Sequence, residues 1–70
     1  MIIFNSRGSS GNIFAVLGSA VNELRSEKRF DDCKAVKEKV FSSGSYEEAL
    51  AIIGSYVPLY DRGSGKHYGA

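Results

Sequence analysis

Seventy residues carry nine basic and eight acidic side chains, a net charge of +1, with a single cysteine, histidine and proline. A chain this short forms one small domain and buries only about 60% of the surface its unfolded form exposes. Near-neutral charge excludes an overall field that would steer it to nucleic acid or an acidic membrane, and a lone Cys33 excludes an internal disulfide. Cys33 and His67 have no metal-ligand spacing between them, so neither metal nor cofactor is expected. Small scaffolds without such staples are commonly reinforced by a second subunit, so a homo-oligomer, at least a dimer, is expected. "MIIFNSRG" lacks the basic start and apolar stretch of a signal peptide, and no apolar run approaches the roughly 20 residues of a membrane span. With its lone thiol, the chain reads as cytoplasmic.

In chain order, "MIIFN" is a short β-branched run closed by turn-forming residues, which predicts a buried strand from Ile2 to about Asn5. The polar loop "SRGSSGN", Ser6 to Asn12, follows. From Ile13 the spacing becomes helical, with Phe14, Leu17, Val21 and Leu24 as the main stripe. Ile13, Val16 and Ala20 widen it enough to predict a central, buried helix that ends in "RSEKR".

A second helix is predicted from about Phe30 to Ser42, with Phe30, Cys33, Val36 and Val40 as its apolar edge. Asp31 and Asp32 in the first turn and Lys37 and Lys39 near the end complement its dipole. Gly44 suits the left-handed position after a helix. Six of the nine basic residues fall between Arg25 and Lys39, interleaved with acids, the pattern of a solvated face. No specific nucleic-acid partner is implied.

The third helix has a capping box in "SYEE", Ser45 to Glu48, and Tyr46, Leu50, Ile53 and Val57 as its stripe. Pro58 stops it, and "VPLYD" predicts a second short strand. "RGSGKHYGA" has the composition of a flexible tail. The fold class is therefore α+β, with about three helices between short terminal strands. The globular domain covers residues 1–62 and the tail 63–70. Two strands make a poor sheet, and pairing ribbons across a dimer would cover their edges.

A strand, a glycine-containing turn and a helix together offer free backbone N–H groups to an anion. Gly8 and Gly11 allow close approach, Ser9, Ser10 and Asn12 add side-chain donors, and Arg7 supplies bidentate charge. Arg7, Gly8, Ser9, Ser10, Gly11 and Asn12 are thus the candidate ligand-binding residues, with a nucleotide-like molecule as ligand. "GSSGN" is neither a P-loop nor a dinucleotide fingerprint. The alternative is that the serines and Asn12 cap the helix while the glycines shape the turn. Gly18 and Gly54 each lie in a helix among small neighbours, which predicts close helix–helix packing. A partner subunit or a flat ligand on one small stripe is the other explanation.

Catalysis finds no support. The acid pairs sit in first turns where the dipole explains them, and Ser9 and Ser10 have no base. His67 lacks an orienting partner, and Cys33 fits a buried edge.

The segments "SSGNIFAVLG" (Ser9–Gly18) and "SGSYEEAL" (Ser43–Leu50), with the apolar ending "YVPLY", resemble a group of very short, largely uncharacterised phage and prophage reading frames. That group shares a G-N-x-F-x-x-L-G segment and a later S-Y-x-E-x-L segment. The resemblance spans most of Ile2 to Tyr60. It implies a phage-type accessory protein in the host bacterial cytoplasm that works by binding, either as an antagonist of a host protein or as a sink for a nucleotide-derived signal. A protein-interaction module using the charged second helix or the tyrosine-bearing end is the alternative to the anion binder.

Overall fold

The computed structural model describes residues 1–69. Strand β1 (Ile2–Phe4) leads through a 3₁₀ turn at Ser9–Gly11 into α1 (Ile13–Ser26); α2 (Phe30–Phe41), α3 (Tyr46–Tyr56), β2 (Leu59–Asp61) and β3 (Lys66–Tyr68) follow. The three strands form one sheet in the order β1-β2-β3. β1 runs parallel to β2, with Ile2 opposite Leu59, and β3 returns antiparallel with Tyr68 opposite Leu59. The expected α+β class holds, with a third strand added.

That strand replaces the tail expected over residues 63–70 as far as residue 69, and Ala70 lies outside the described residues. Asp61 carbonyl accepts from Gly65 N–H at 2.7 Å, and Gly65 takes the left-handed φ of +74° that closes the hairpin. The alternation of the strands then decides what each side chain meets. Phe4, Leu59, Asp61 and Tyr68 are buried toward the helices, whereas Ile3, Tyr60 and His67 form the outer row. The third strand enlarges the sheet within one chain and leaves β1 and β3 as its two edges.

Local chemistry sets the helix ends. Asn12 Oδ1 accepts from Phe14 N–H at 2.8 Å and starts α1. The end of α1 is closed by Arg29 N–H on Leu24 carbonyl and Lys28 N–H on Arg25 carbonyl, with Lys28 at φ +61°. This is a Schellman arrangement with lysine where glycine is usual. Ser45 Oγ accepts from Glu48 N–H, while the Glu48 carboxylate reaches back to Gly44 N–H at 2.9 Å. The expected box forms, displaced by one residue on its return bond. Gly44 is not left-handed, since the end of α2 is satisfied by Ser42 and Ser43 bonding to Glu38 and Val40 carbonyls.

Leu24, Leu50, Ile53, Leu59, Val16 and Val36 fill the centre of one core. Three expectations fail around its margin. α1 is not buried all round: Phe14, Ala15, Gly18, Ser19 and Asn22 are exposed. Phe30 also faces outward, because it lies at the edge of its helix's apolar arc and no neighbouring element covers it, and Tyr46 is covered only in part, its hydroxyl end reaching Gly11 in the loop before α1. The two glycine stripes do not meet either. A Cβ on Gly18 would meet nothing within 4 Å, whereas one on Gly54 would lie 2.6 Å from Tyr68 Cβ. Gly54 makes room for β3, not for a helix.

Candidate functional site

The loop Ser6–Asn12 is held from below by Asp61. This carboxylate, 2% exposed, accepts from Ser6 N–H at 2.9 Å, Gly63 N–H at 2.8 Å and Ser64 Oγ–H at 2.7 Å. Burial works against its charge, but the bonds from Ser6, Ser64 and Gly63 outweigh it and hold the carboxyl well below the usual carboxylate range. Asp61 therefore ties the end of β1 to the β2–β3 turn. Sequence reasoning missed this role. The signal lay in "DRGS", an aspartate positioned to bond its own backbone two residues on, before an alternating "KHY".

Asn5 shapes the upper half of the loop. Its carbonyl accepts from Gly8 N–H, its Oδ1 accepts from Arg7 N–H, and its own N–H donates to Ser10 Oγ. Gly11 N–H bonds Gly8 carbonyl and Asn12 N–H bonds Ser9 carbonyl. Gly11 is buried so tightly that a Cβ there would come 2.5 Å from Asn5 carbonyl oxygen and Ser6 Cα. The predicted cradle is thus partly consumed by its own fold. Gly8, Gly11 and Asn12 spend their amides internally, and Asn12 spends its side chain as a cap. Among the described residues the amides of Ser9 and Ser10 have no partner, and neither does the Arg7 guanidinium, which is exposed.

Two hollows flank this loop and share Tyr46. The first is a shallow polar depression of about 520 Å³ lined by Ser6, Gly8, Ser9, Gly11, Asn12 and Tyr46. The second, of about 410 Å³, is an apolar groove between the start of α1, the end of α2 and the start of α3. Its walls are Ile13, Phe14, Val40, Phe41, Tyr46 and Ala49, with Ser43, Gly44 and Ser45 at one lip. Phe14 and Phe41 are each 66% exposed, and their rings lie 6.5 Å apart at 47°. Tyr46 separates the hollows by donating its hydroxyl to Gly11 carbonyl. Burial first, then the charges of Asp61 and Glu47, raise its pKa and keep it a neutral donor.

Tyr46 is the one titratable side chain lining either hollow among the described residues. The other groups with a capacity for chemistry are engaged elsewhere. Glu47 accepts from Lys66 Nζ and Tyr68 hydroxyl at 3.1 and 3.0 Å. His67 packs its ring against Tyr60 on the outer sheet face, 4.6 Å between centroids. Cys33 is buried, with Sγ on Val21 carbonyl. Among the described residues no group of three acids, histidines or cysteines has metal-site spacing, and no helix is long and apolar enough to cross a membrane. No family model, curated protein or solved structure matches the chain.

Proposed function

We propose that this protein is a small, non-enzymatic binding module whose principal contact surface is the Phe14–Phe41–Tyr46 groove, and that its partner is another protein. One observation carries the reading: two phenylalanine rings beside a concave apolar groove remain largely in water although the core beneath them is complete. Exposed apolar surface of this kind marks interaction sites, and aromatic side chains are the residues that dominate interface energetics. The resemblance of Ser9–Gly18 and Ser43–Leu50 to short phage reading frames points the same way. Those two segments contribute Phe14, the groove's serine–glycine lip and Tyr46, and the resemblance implies an accessory protein that works by binding, either as an antagonist of a host protein or as a sink for a nucleotide-derived signal.

The test is a photocrosslinking amino acid placed at position 41 in bacterial cytosol, with and without Phe14→Ser. A discrete adduct that disappears with Phe14→Ser supports the groove. Labelling that is diffuse and insensitive to Phe14 removes it.

A second reading keeps the anionic ligand at the polar depression, because Ser9, whose amide has no partner among the described residues, lines it, while Arg7 and Ser10 are near it in the chain but outside the lining. A nucleotide phosphate there would meet the Ser9 amide and would have to draw Arg7 in from solvent. Thermal stabilisation by nucleotides that is lost with Arg7→Ala supports it. A broad panel giving no shift with the unaltered chain rules it out.

A further inference from the structure

The Ser6–Asn12 loop is braced almost wholly by itself, through the bonds that stay within Asn5–Asn12. Between Ser6 and Gly11, two hydrogen bonds alone leave that set among the described residues. Ser6 N–H donates to Asp61 Oδ1 at 2.9 Å, and Gly11 carbonyl accepts from the Tyr46 hydroxyl.

The two points of attachment touch each other. A Cβ on Gly11 would lie 2.5 Å from Ser6 Cα and 2.9 Å from the Ser6 carbonyl carbon, so the two backbones are in contact with no room for a side chain between them. Beyond Ser6, the Asp61 carboxylate also holds Gly63 N–H and Ser64 Oγ–H. Gly63 in turn presses on the start of the loop, since a Cβ there would come 2.5 Å from Asn5 Oδ1 and 3.0 Å from Ser6 Oγ. A continuous line of bonded and packed groups therefore runs from Tyr46 through Gly11, Ser6 and Asp61 to Gly63. It joins the wall of the apolar groove to the β2–β3 turn. Close-packed groups of this kind pass a displacement on rather than absorb it. The weak link is at the groove end. Tyr46 is 38% exposed and holds Gly11 by a single hydroxyl, whereas Asp61 is buried beneath three donors.

We infer that the loop is a strut coupling the groove to the β2–β3 hairpin: Tyr46 leaving Gly11 loosens the Asp61 latch, and a loosened latch frees Tyr46. The groove has its present walls only with Tyr46 on Gly11. A partner side chain that fits this shape selects the latched hairpin, and by reciprocity a slack hairpin weakens the partner's hold. The coupling belongs to the free chain; its use by a partner rests on the groove being the contact surface. A parallel route runs through Glu47, beside Tyr46, which accepts from Lys66 and Tyr68 of β3. Its ion pair with Lys66 is exposed on both sides, and such pairs hold little, so the loop is the stiffer path.

The test is amide hydrogen exchange, followed by NMR, in Tyr46→Phe, which removes the hydroxyl and leaves the ring. The Ser6 and Gly63 amides, neither bonded to Tyr46, should exchange roughly three- to tenfold faster, the effect of one lost hydrogen bond. The Arg29 amide, which closes α1 on Leu24 carbonyl, should keep its parent rate. No change at Ser6 and Gly63, or an equal rise at Arg29 that marks general destabilisation, would overturn the strut. In a Glu47→Gln background the acceleration should persist. Its disappearance there hands the coupling to Glu47 and overturns the role of the loop. In the reverse direction, Ser64→Ala removes one donor from Asp61 at an exposed position and should shift the Tyr46 ring resonances. Rings that stay in place would break the reciprocity, and this variant decides the matter should Tyr46→Phe fail to fold. All of these readouts use the chain without a partner, so a missing adduct at position 41 removes the groove reading and leaves the strut to stand or fall on exchange.

Discussion

The two sides of the Ser6–Asn12 loop are built on opposite rules. Beneath it, Asp61 buries a full charge and leaves neither carboxylate oxygen without a donor. A few residues on, Phe14 and Phe41 leave apolar rings in water with only each other for cover. The first arrangement is costly to disturb because any removed partner strands a buried polar group. The second is cheap to disturb in the isolated domain, because little of its surface has left solvent. The difference separates residues that keep the fold from residues that are free to serve a partner.

The comparison breaks most clearly at Asp61. Asp61→Ala strands the Ser6 and Gly63 amides and is expected to lower the melting midpoint more than a change at Gly54, Gly18 or Phe41. The same carboxylate gives the acid response. Its pKa is depressed in the folded chain, so its stabilisation is complete above the unfolded value of about 4 and drains away as the pH falls below it. Glu47, lowered by its bonds to Lys66 and Tyr68, adds to that loss. Melting midpoints measured on the acid side should fall steeply in the parent and more gently in Asp61→Asn. At the alkaline end the sign reverses. Tyr68, raised to about 12 by burial and by its bond to Glu47, contributes stability that is whole below the unfolded value of about 10 and is lost as the pH climbs through about 12. Tyr68→Phe should remove that alkaline decline.

The glycines sharpen the contrast with one substitution made twice. Gly54→Ala forces a Cβ to 2.6 Å from Tyr68 Cβ and should cost about 1–3 kcal/mol, the range for overpacking. That is a melting drop of roughly 4–8 °C per kcal/mol. Gly18→Ala meets nothing and should stabilise by about 0.5–1 kcal/mol through helix propensity. Denaturant titration of both variants decides it, and equal signs would refute the packing difference. Smallest of all, Phe14→Ser should change stability by about 0.5 kcal/mol, as exposed substitutions do, while removing the adduct formed from position 41. A cooperative collapse on that change would make Phe14 a core residue after all.

Much of the scaffold is legible in the sequence because its signals are local. Ser45, Asn12 and Pro58 mark helix ends through bonds made or forbidden within four residues, and Val16, Leu24, Leu50 and Ile53 repeat at a spacing only a buried helix face requires. Phe14, Phe30 and Tyr46 depart from expectation for a tertiary reason. Residues at the edge of an apolar arc are covered or not according to whether another element happens to lie there: Phe30 meets none, Phe14 meets only the edge of α2 at Phe41, and Tyr46 is covered in part by the loop at Gly11. The hairpin escapes notice because "RGSGKHYGA" is glycine-rich, and what orders it is a long-range partner: Asp61 gripping Ser6, and Tyr68 seated on Gly54. The Gly8–Asn12 cradle is half legible. Its glycines and serines are visible, but Asn5 consuming the neighbouring amides is a property of the folded turn.

The parallel pairing of Ile2 with Leu59 has a consequence for how the molecule comes into being. Strand β1, synthesised before β2, has no place in the sheet until the segment around residues 59–61 has also emerged, so all three helices must wait, or assemble, without the sheet that completes their floor. Cutting between Pro58 and Leu59 would therefore release β1 as well as β2 and β3, and proteolytic sensitivity near Phe4 should appear with the cut.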